Sequence, residues 1–385
     1  MKNIKGKIIK AVILIFTTKK YKGYRYIKVN NYFYSLDTNK YKMFFYLWSK
    51  LKPFSIIDGK STNKKLIPEW FVKLYRICHL ITNIHREPRI NKANLIVLPV
   101  YGQIAIYSKR QDNFKVFDVK KGIATTIFSD SIKNDILTNK VEKYKKLGEL
   151  SLGPQLIEFN KTKKMYKEAF LNYPHFSLKT MSEEDKAIVI KKVTSFIKDL
   201  ITKYPVEHIL LDVYLHKLKV ESTGKLLGDN CKIREINDFI SDMKKDLLLR
   251  GNEKIYLVMS HGDLHFNNLI KDKKVIKAID WEFCEKRSIL YDLHFLRYKT
   301  KSTVDIPFFI KLLHKENVIN ASTIDSDLYL DLFYLEYITH WLNVVYQSKE
   351  YLNLADINNI LNWIIRDIKV FKSFKKNKGI KTLLL

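Results

Sequence analysis

Two short stretches of the chain carry residue types suited to phosphate chemistry. Ser260-His261-Gly262-Asp263-Leu264-His265-Phe266-Asn267-Asn268 sets a carboxylate and an amide five residues apart in one loop, and Ile279-Asp280-Trp281-Glu282-Phe283 follows with two more carboxylates. Phosphoryl transfer asks little covalent work of a protein. It needs in-line positioning, a carboxylate near the attacking hydroxyl, and metal ions that neutralise phosphate charge. Mg²⁺ takes a few protein oxygens and leaves its other positions to phosphates and water, which an Asn carbonyl and an Asp carboxylate satisfy. Asp263 would hold or deprotonate the acceptor hydroxyl. A lone His-Gly-Asp is an ordinary tight turn, and a lone Asp-x-Glu an acidic strand end; both motifs in this order, between apolar strand-like runs, point to chemistry.

The elements that must position these residues can be read from apolar periodicity. Residues 1–92 form a basic, aromatic N-terminal region, partly helical. Its clearest element starts at Pro68 and carries Trp70, Phe71, Leu74, Ile77, Cys78, Ile81 and Ile84 at helical steps, ending before Pro88. Residues 93–171 read as a small sheet with one helix: strand-like runs at Leu95–Val100, Gln103–Tyr107, Phe114–Val119 and Ile123–Phe128, a helix over Ile132–Leu150, then runs at Gln155–Phe159 and Met165–Leu171. Residues 172–385 are mostly helical, with Ile255–Met259 and Val275–Ile279 as short strands flanking the motifs.

The two motifs resemble those of the aminoglycoside phosphotransferase and choline kinase superfamily, whose catalytic loop reads H-G/N-D-x-x-x-x-N and whose metal motif is I-D-x-E or similar. Glu282 and Phe283 bring the second motif nearest to the D-x-E-Y/F of the choline and ethanolamine kinases. The resemblance implies an α+β, bilobal protein-kinase-like fold with a small antiparallel β-sheet N-lobe (93–171), a mostly helical C-lobe (172–385) and a basic N-terminal extension (1–92). It implies Asp263 as catalytic base, His261 as support for the loop, and Asn268 and Asp280, with Glu282, as metal ligands. Tyr291-Asp292-Leu293 is similar to the segment whose Asp braces the active-site loop. Such enzymes use Mg²⁺ with ATP or GTP. The family's third-strand lysine is missing, because Thr125 and Thr126 stand there; Lys115, or Lys109 with Arg110, would hold the phosphates instead. Glu142 is the expected ion-pair glutamate, and Glu168 to Phe170 occupy the hinge that would meet the purine edge.

The acceptor should lie on the C-terminal helices, where Tyr329, Phe333, Tyr337 and Trp341 recur every four residues, a stripe that either packs a helical bundle or cages a quaternary ammonium. The expected function is a small-molecule kinase acting on an amino alcohol such as choline, or on a sugar or glycan. A nucleotide-binding scaffold with degenerate catalysis and an aminoglycoside-resistance enzyme are the alternatives. Lys and Arg number 69 against 40 Asp and Glu, a formal +29 that suits anionic partners. The lysines are spread throughout and no nucleic-acid module accompanies them, so nucleic acid is not an expected partner. Cys78, Cys231 and Cys284 fit a reducing cytoplasm better than a disulfide framework. The apolar run Ala11–Phe16 among lysines is read either as a peripheral contact with anionic membrane or as a buried element.

Overall fold

The computed structural model describes residues 23–50, 69–90, 92–108, 112–171, 181–218, 231–251, 253–272, 275–300, 304–319, 324–347 and 353–382. The Ala11–Phe16 segment, with the membrane contact expected of it, and the candidate phosphate-binding residues Lys109 and Arg110 lie outside the described residues. Among the described residues no helix is long and apolar enough to cross a membrane. The chain forms two compact units: one holds the described residues of 1–177 and 266–279, the other those of 178–265 and 280–385.

The first unit is built on strands β1 (Tyr24–Val29) and β2 (Tyr32–Ser35), helices α1 (Lys40–Phe45) and α2 (Glu69–Ile90), strands β3 (Leu95–Leu98), β4 (Ile104–Ser108), β5 (Asn113–Asp118) and β6 (Ile123–Phe128), helix α3 (Asn134–Glu149), and strands β7 (Leu156–Asn160) and β8 (Met165–Ala169). The strands make one eight-stranded sheet, ordered β3-β1-β2-β4-β5-β6-β8-β7, with antiparallel neighbours throughout. Alternation along each strand sorts side chains onto two faces. Ile27, Tyr34, Ile104 and Phe117 join Ile77, Leu80 and Ile84 of α2 in one core, while Tyr26, Phe33, Ala105, Val116 and Ile127 fill the other.

This topology corrects the boundary expected at 92. Two strands from before that point occupy the sheet beside β3 and β4, so the region is part of the sheet and not an extension to it. The pair was hard to see because the two strands are short and β1 interrupts its apolar residues with Arg25 and Lys28. The first long helix also runs past Pro88, which costs a single main-chain donor close to its end.

The second unit comprises α4 (Glu183–Lys203), β9 (Glu207–Leu210), α5 (Leu211–Lys217), α6 (Cys231–Leu248), β10 (Lys254–Ser260), β13 (Glu285–Ser288), α7 (Tyr291–Thr300), α8 (Ile306–Lys315), α9 (Ser326–Gln347) and α10 (Leu354–Thr382); the hairpin β11 (Leu269–Asp272) and β12 (Val275–Ala278) belongs to the first. That membership corrects the expectation that the whole catalytic loop sits in the helical part, and its physical basis is the Ala278 N–H donating to Leu152 O at 3.0 Å. Ser182 caps α4 by accepting the Asp185 N–H, and three acids fill its first turn, where the helix dipole favours them. β10 is the centre of a three-stranded antiparallel sheet ordered β13-β10-β9. Helix α9 packs against α6, α7 and α10 and is apolar on nearly all sides. The α+β expectation therefore holds: an antiparallel sheet in one unit, a mostly helical second unit.

Candidate active site

Strand β10 is buried from Ile255 onward and ends at Ser260, so its loop starts from a fixed point. Gly262 has φ +82°, and a Cβ there would overlap the Phe283 carbonyl oxygen and the Arg287 guanidinium, so only glycine fits. The turn is held by Asp292 near the start of α7, 4% exposed. Its Oδ1 accepts the Ser260 hydroxyl at 2.9 Å and the Gly262 N–H at 3.2 Å; its Oδ2 accepts the His261 N–H at 2.7 Å. The bracing expected of this Asp is thus three hydrogen bonds from one carboxylate.

His261 is wholly buried, its ring 4.6 Å from that of Trp281, and its Nδ1 accepts the Asp263 N–H at 3.3 Å. An accepting Nδ1 leaves the neutral ring's proton on Nε2. The expected supporting place of His261 thus has a geometry, since it fixes the main chain of the residue that carries the candidate base. The Asp263 carboxylate is 22% exposed, with His265 Nε2 3.5 Å from its Oδ2. The sequence left His265 open between a solvated loop and the site, and the structure puts it beside Asp263.

Asp280 is exposed and adopts a left-handed backbone (φ 59°, ψ 50°), which an aspartate tolerates better than most residues. Its side chain does not cap the single turn Trp281–Phe283 that follows. Trp281 is core, against Phe196 and His261; Glu282 is half-buried. Phe283 lies 5.0 Å from His340 and 5.7 Å from Trp341, ring to ring. Arg287, which no local pattern marked, is 2% exposed. It donates to the Phe283 carbonyl at 3.0 Å, approaches Ser260 Oγ at 3.5 Å, lies over the Tyr291 ring and pairs with Glu285. One guanidinium therefore ties the end of the second motif to the start of the first. Next to it, Glu336 accepts from the Tyr214 hydroxyl and from Ser288 N–H and Oγ–H at 2.8 and 2.7 Å; burial pushes its pKa up to about 7 against those bonds and the Arg287 charge.

In the first unit, Asn268 closes a single turn, Phe266–Asn268, and is 7% exposed. Its main-chain carbonyl accepts the Ile279 N–H at 2.8 Å, and the register Leu269↔Ala278 continues the pairing. The hairpin thus returns the chain from 268 to 279. Lys115 on β5 pairs with Glu168 on β8 at 2.7 Å, across the intervening β6. This corrects two expectations. Glu142 is on the exposed face of α3, whose buried residues are Leu137, Val141, Tyr144 and Leu147, and it is Glu168 that pairs with the lysine. The N–H groups of Ala169 and Phe170 donate to Gln155 O and Gly122 O at 2.8 Å, so the hinge expected to meet a purine has both donors spent within the unit, and the Phe170 ring packs on Phe117. The aromatic stripe is core as well: Tyr329, Phe333 and Tyr337 are each 1% exposed and Trp341 3%.

Residues 160–307 match the model of the ecdysteroid kinase-like family, a span that contains both motifs. Several solved structures are similar. The choline kinase LicA from Streptococcus pneumoniae is 14% identical, with TM-score 0.43 over 66% of this chain and 89% of that one. The choline kinase from Cryptosporidium parvum Iowa II is 14% identical, with TM-score 0.42 over 68% and 87%. The Plasmodium vivax ethanolamine kinase is 14% identical, with TM-score 0.37 over 86% and 94%. No curated protein matches the chain.

Proposed function

We propose that this protein is a phosphotransferase that moves the γ-phosphoryl group of a Mg²⁺-bound ATP or GTP to a hydroxyl of a small molecule. The observation that carries the reading is the clamped loop. Asp292, His261 and the obligatory Gly262 together fix the main chain from which the part-exposed Asp263 carboxylate projects. Asp263 accepts or orients the acceptor's hydroxyl proton, with His265 Nε2 3.5 Å from its carboxylate.

The donor set suits Mg²⁺. Mg²⁺ keeps water and takes phosphate oxygens, so it asks only a few oxygens of the protein. Asp280, exposed on its left-handed turn, and Asn268 would supply the protein oxygens, with half-buried Glu282 next in reach along the chain. When bound, the ion neutralises phosphate charge. Lys115, paired with Glu168, would meet the inner phosphates. The sheltered position of that pair, 23% and 10% exposed, keeps its charges from being fully screened.

The test is acceptor-dependent transfer of labelled phosphate from ATP or GTP with Mg²⁺, across amino alcohols, sugars, aminoglycosides and hydroxy acids. Asp263→Ala should abolish transfer while leaving nucleotide affinity within a few-fold, and Asn268→Ala should weaken metal-dependent nucleotide binding more than folding. Nucleotide binding without transfer to any acceptor, indifferent to Asp263→Ala, would establish the scaffold instead.

A further inference from the structure

The helical unit holds a cavity of about 570 Å³ between α7, α9 and α10, within the range of roughly 300–1,000 Å³ common for small-molecule sites. Its walls mix aromatic surface from Tyr298 and Tyr334 with three cations, Arg297, Lys299 and Arg366. The carboxylate nearest them is Asp367, wholly buried, which already accepts the Tyr337 hydroxyl at 3.0 Å and faces Arg366 at 3.4 Å. Positive charge is therefore in excess around the cavity.

Lys299 is the unusual member. Its ammonium lies 4.3 Å from the centroid of the Trp363 ring, 5.3 Å from those of Phe295 and Tyr298 and 5.4 Å from that of Tyr337, and it donates to the Tyr337 hydroxyl at 3.2 Å. Such a box of ring faces is the environment that attracts a quaternary ammonium. Here the chain's own cation occupies it, and of these rings only Tyr298 also lines the cavity, so a cationic ligand there would find no open box and a like charge in the wall. His294 also lines the cavity, flat against Phe333, 3% exposed, and its two ring nitrogens have no partner among the described residues. Burial pushes its pKa down to about 3, so the ring is neutral and keeps one donor and one acceptor unspent. Unpaired buried polar atoms are costly, and a ligand's polar group is what would satisfy them.

The cavity is tied to the candidate chemistry. Phe283 of the second motif touches Trp341, Trp341 lies 5.0 Å from Trp363, and Trp363 holds Lys299. Burial pulls the Lys299 pKa down, and the negative charges of Asp367 and Asp263 pull it up, so the catalytic candidate acts electrostatically on a wall of the cavity.

We infer that this cavity is the acceptor pocket and that its occupant pairs an anionic group, a carboxylate or phosphate, with a flat or apolar body, so that a quaternary ammonium is excluded. The word acceptor rests on the phosphotransferase reading; the charge preference does not. Two probes of one shape class separate the possibilities by calorimetry on the full chain: phenyl phosphate and benzyltrimethylammonium. Phenyl phosphate should bind, and should weaken at least tenfold in Lys299→Met and in Arg366→Met, the latter a largely exposed side chain whose loss spares the core. Lys299→Arg should restore binding to within a few-fold, and Lys299→Met should tighten benzyltrimethylammonium by removing the like charge from the wall. In transfer assays, 4-(hydroxymethyl)benzoate should be a better acceptor than benzyl alcohol, and choline the poorest. Wild-type binding of benzyltrimethylammonium as tight as that of phenyl phosphate, or phenyl phosphate binding unmoved by both charge-removing variants, overturns the inference. Lys299-dependent anion binding with no transfer to any hydroxyl compound overturns the phosphotransferase reading and leaves the charge preference standing.

Discussion

Replacing Asp292 measures how firmly one carboxylate fixes the loop that carries Asp263. Alanine removes the acceptor of the Ser260 hydroxyl (2.9 Å), the His261 N–H (2.7 Å) and the Gly262 N–H (3.2 Å). The Gly262 N–H keeps a second acceptor in Ser260 Oγ at 3.1 Å, and a hydroxyl can turn, so the donor left stranded is the buried His261 N–H. A stranded buried donor costs about 1–3 kcal/mol, and a hydrogen bond to a charged group contributes about 1.5–3, which sets the total for Asp292→Ala at about 3–5 kcal/mol. Asparagine is different. Its amide oxygen can stand where Oδ2 stood and keep His261, while its NH₂ faces a Ser260 hydroxyl able to accept. Only the longer Gly262 bond then goes, at about 1–2 kcal/mol. Amide hydrogen exchange over 255–265 reads this directly, because local opening there requires breaking these bonds. At about 1.4 kcal/mol per decade, alanine should speed exchange at His261 and Gly262 by roughly a hundredfold to a few thousandfold, and asparagine by roughly tenfold. Alanine and asparagine proving equivalent, or either leaving those amides unchanged, would refute the assignment of the loop's rigidity to this residue.

Gly262→Ala forces a side chain onto the Phe283 carbonyl and Arg287 at φ +82°, so it should destabilise by more than about 1 kcal/mol and abolish transfer; a fully active, equally stable variant would contradict the close approach. Glu336 has a folded-state pKa of about 7 against an ordinary 4.5, so the folded protein keeps a proton that the unfolded chain gives up. Its contribution to stability therefore falls as pH rises from 4.5 to about 7 and levels off above, by an amount on the order of 3 kcal/mol. Urea midpoints of wild type and Glu336→Gln across that window should diverge against the wild type, and a constant difference would show that the carboxyl titrates normally. Tyr329→Phe removes the hydroxyl that accepts the Tyr256 N–H at 2.8 Å, so it should cost about 1–3 kcal/mol in chemical unfolding, with substrate preference unchanged.

What was legible in the sequence depended on the range of the interaction. The two candidate motifs and the strands Leu95–Leu98, Ile123–Phe128 and Lys254–Ser260 announce themselves through neighbours a few residues away, by spacing or by runs of apolar side chains. β1 and β2 did not, because they are short and β1 is broken up by Arg25 and Lys28, and β13 did not, because Glu285-Lys286-Arg287-Ser288 is charged and becomes a strand only by pairing with β10. The glutamate that pairs with Lys115 was misassigned for the same reason. Helical position suggested Glu142, whereas the sheet order puts Lys115 and Glu168 two strands apart on the same face. Arg287 carries no signal at all in its own strand. Its role exists only once Phe283, Ser260 and Tyr291 surround it.

The same reasoning decides between the two meanings of the aromatic stripe on α9. Spacing alone allowed Tyr329, Phe333, Tyr337 and Trp341 to be a cage or a core, because either needs one apolar face repeated each turn. Burial of all four assigns the stripe to the core, yet Tyr337 also gives a ring to a cage whose other walls come from α7 and α10, and the cation inside is Lys299. In a chain of net charge +29, one more lysine carries no information by its type. It does so by position: an ammonium drawn out of water and into ring faces has given up solvation that only the π-faces and the nearby Asp367 and Asp263 return. A charge held at that cost selects against substrates of its own sign, so the diffuse basicity of the sequence becomes, at this one place, a rule about what can enter.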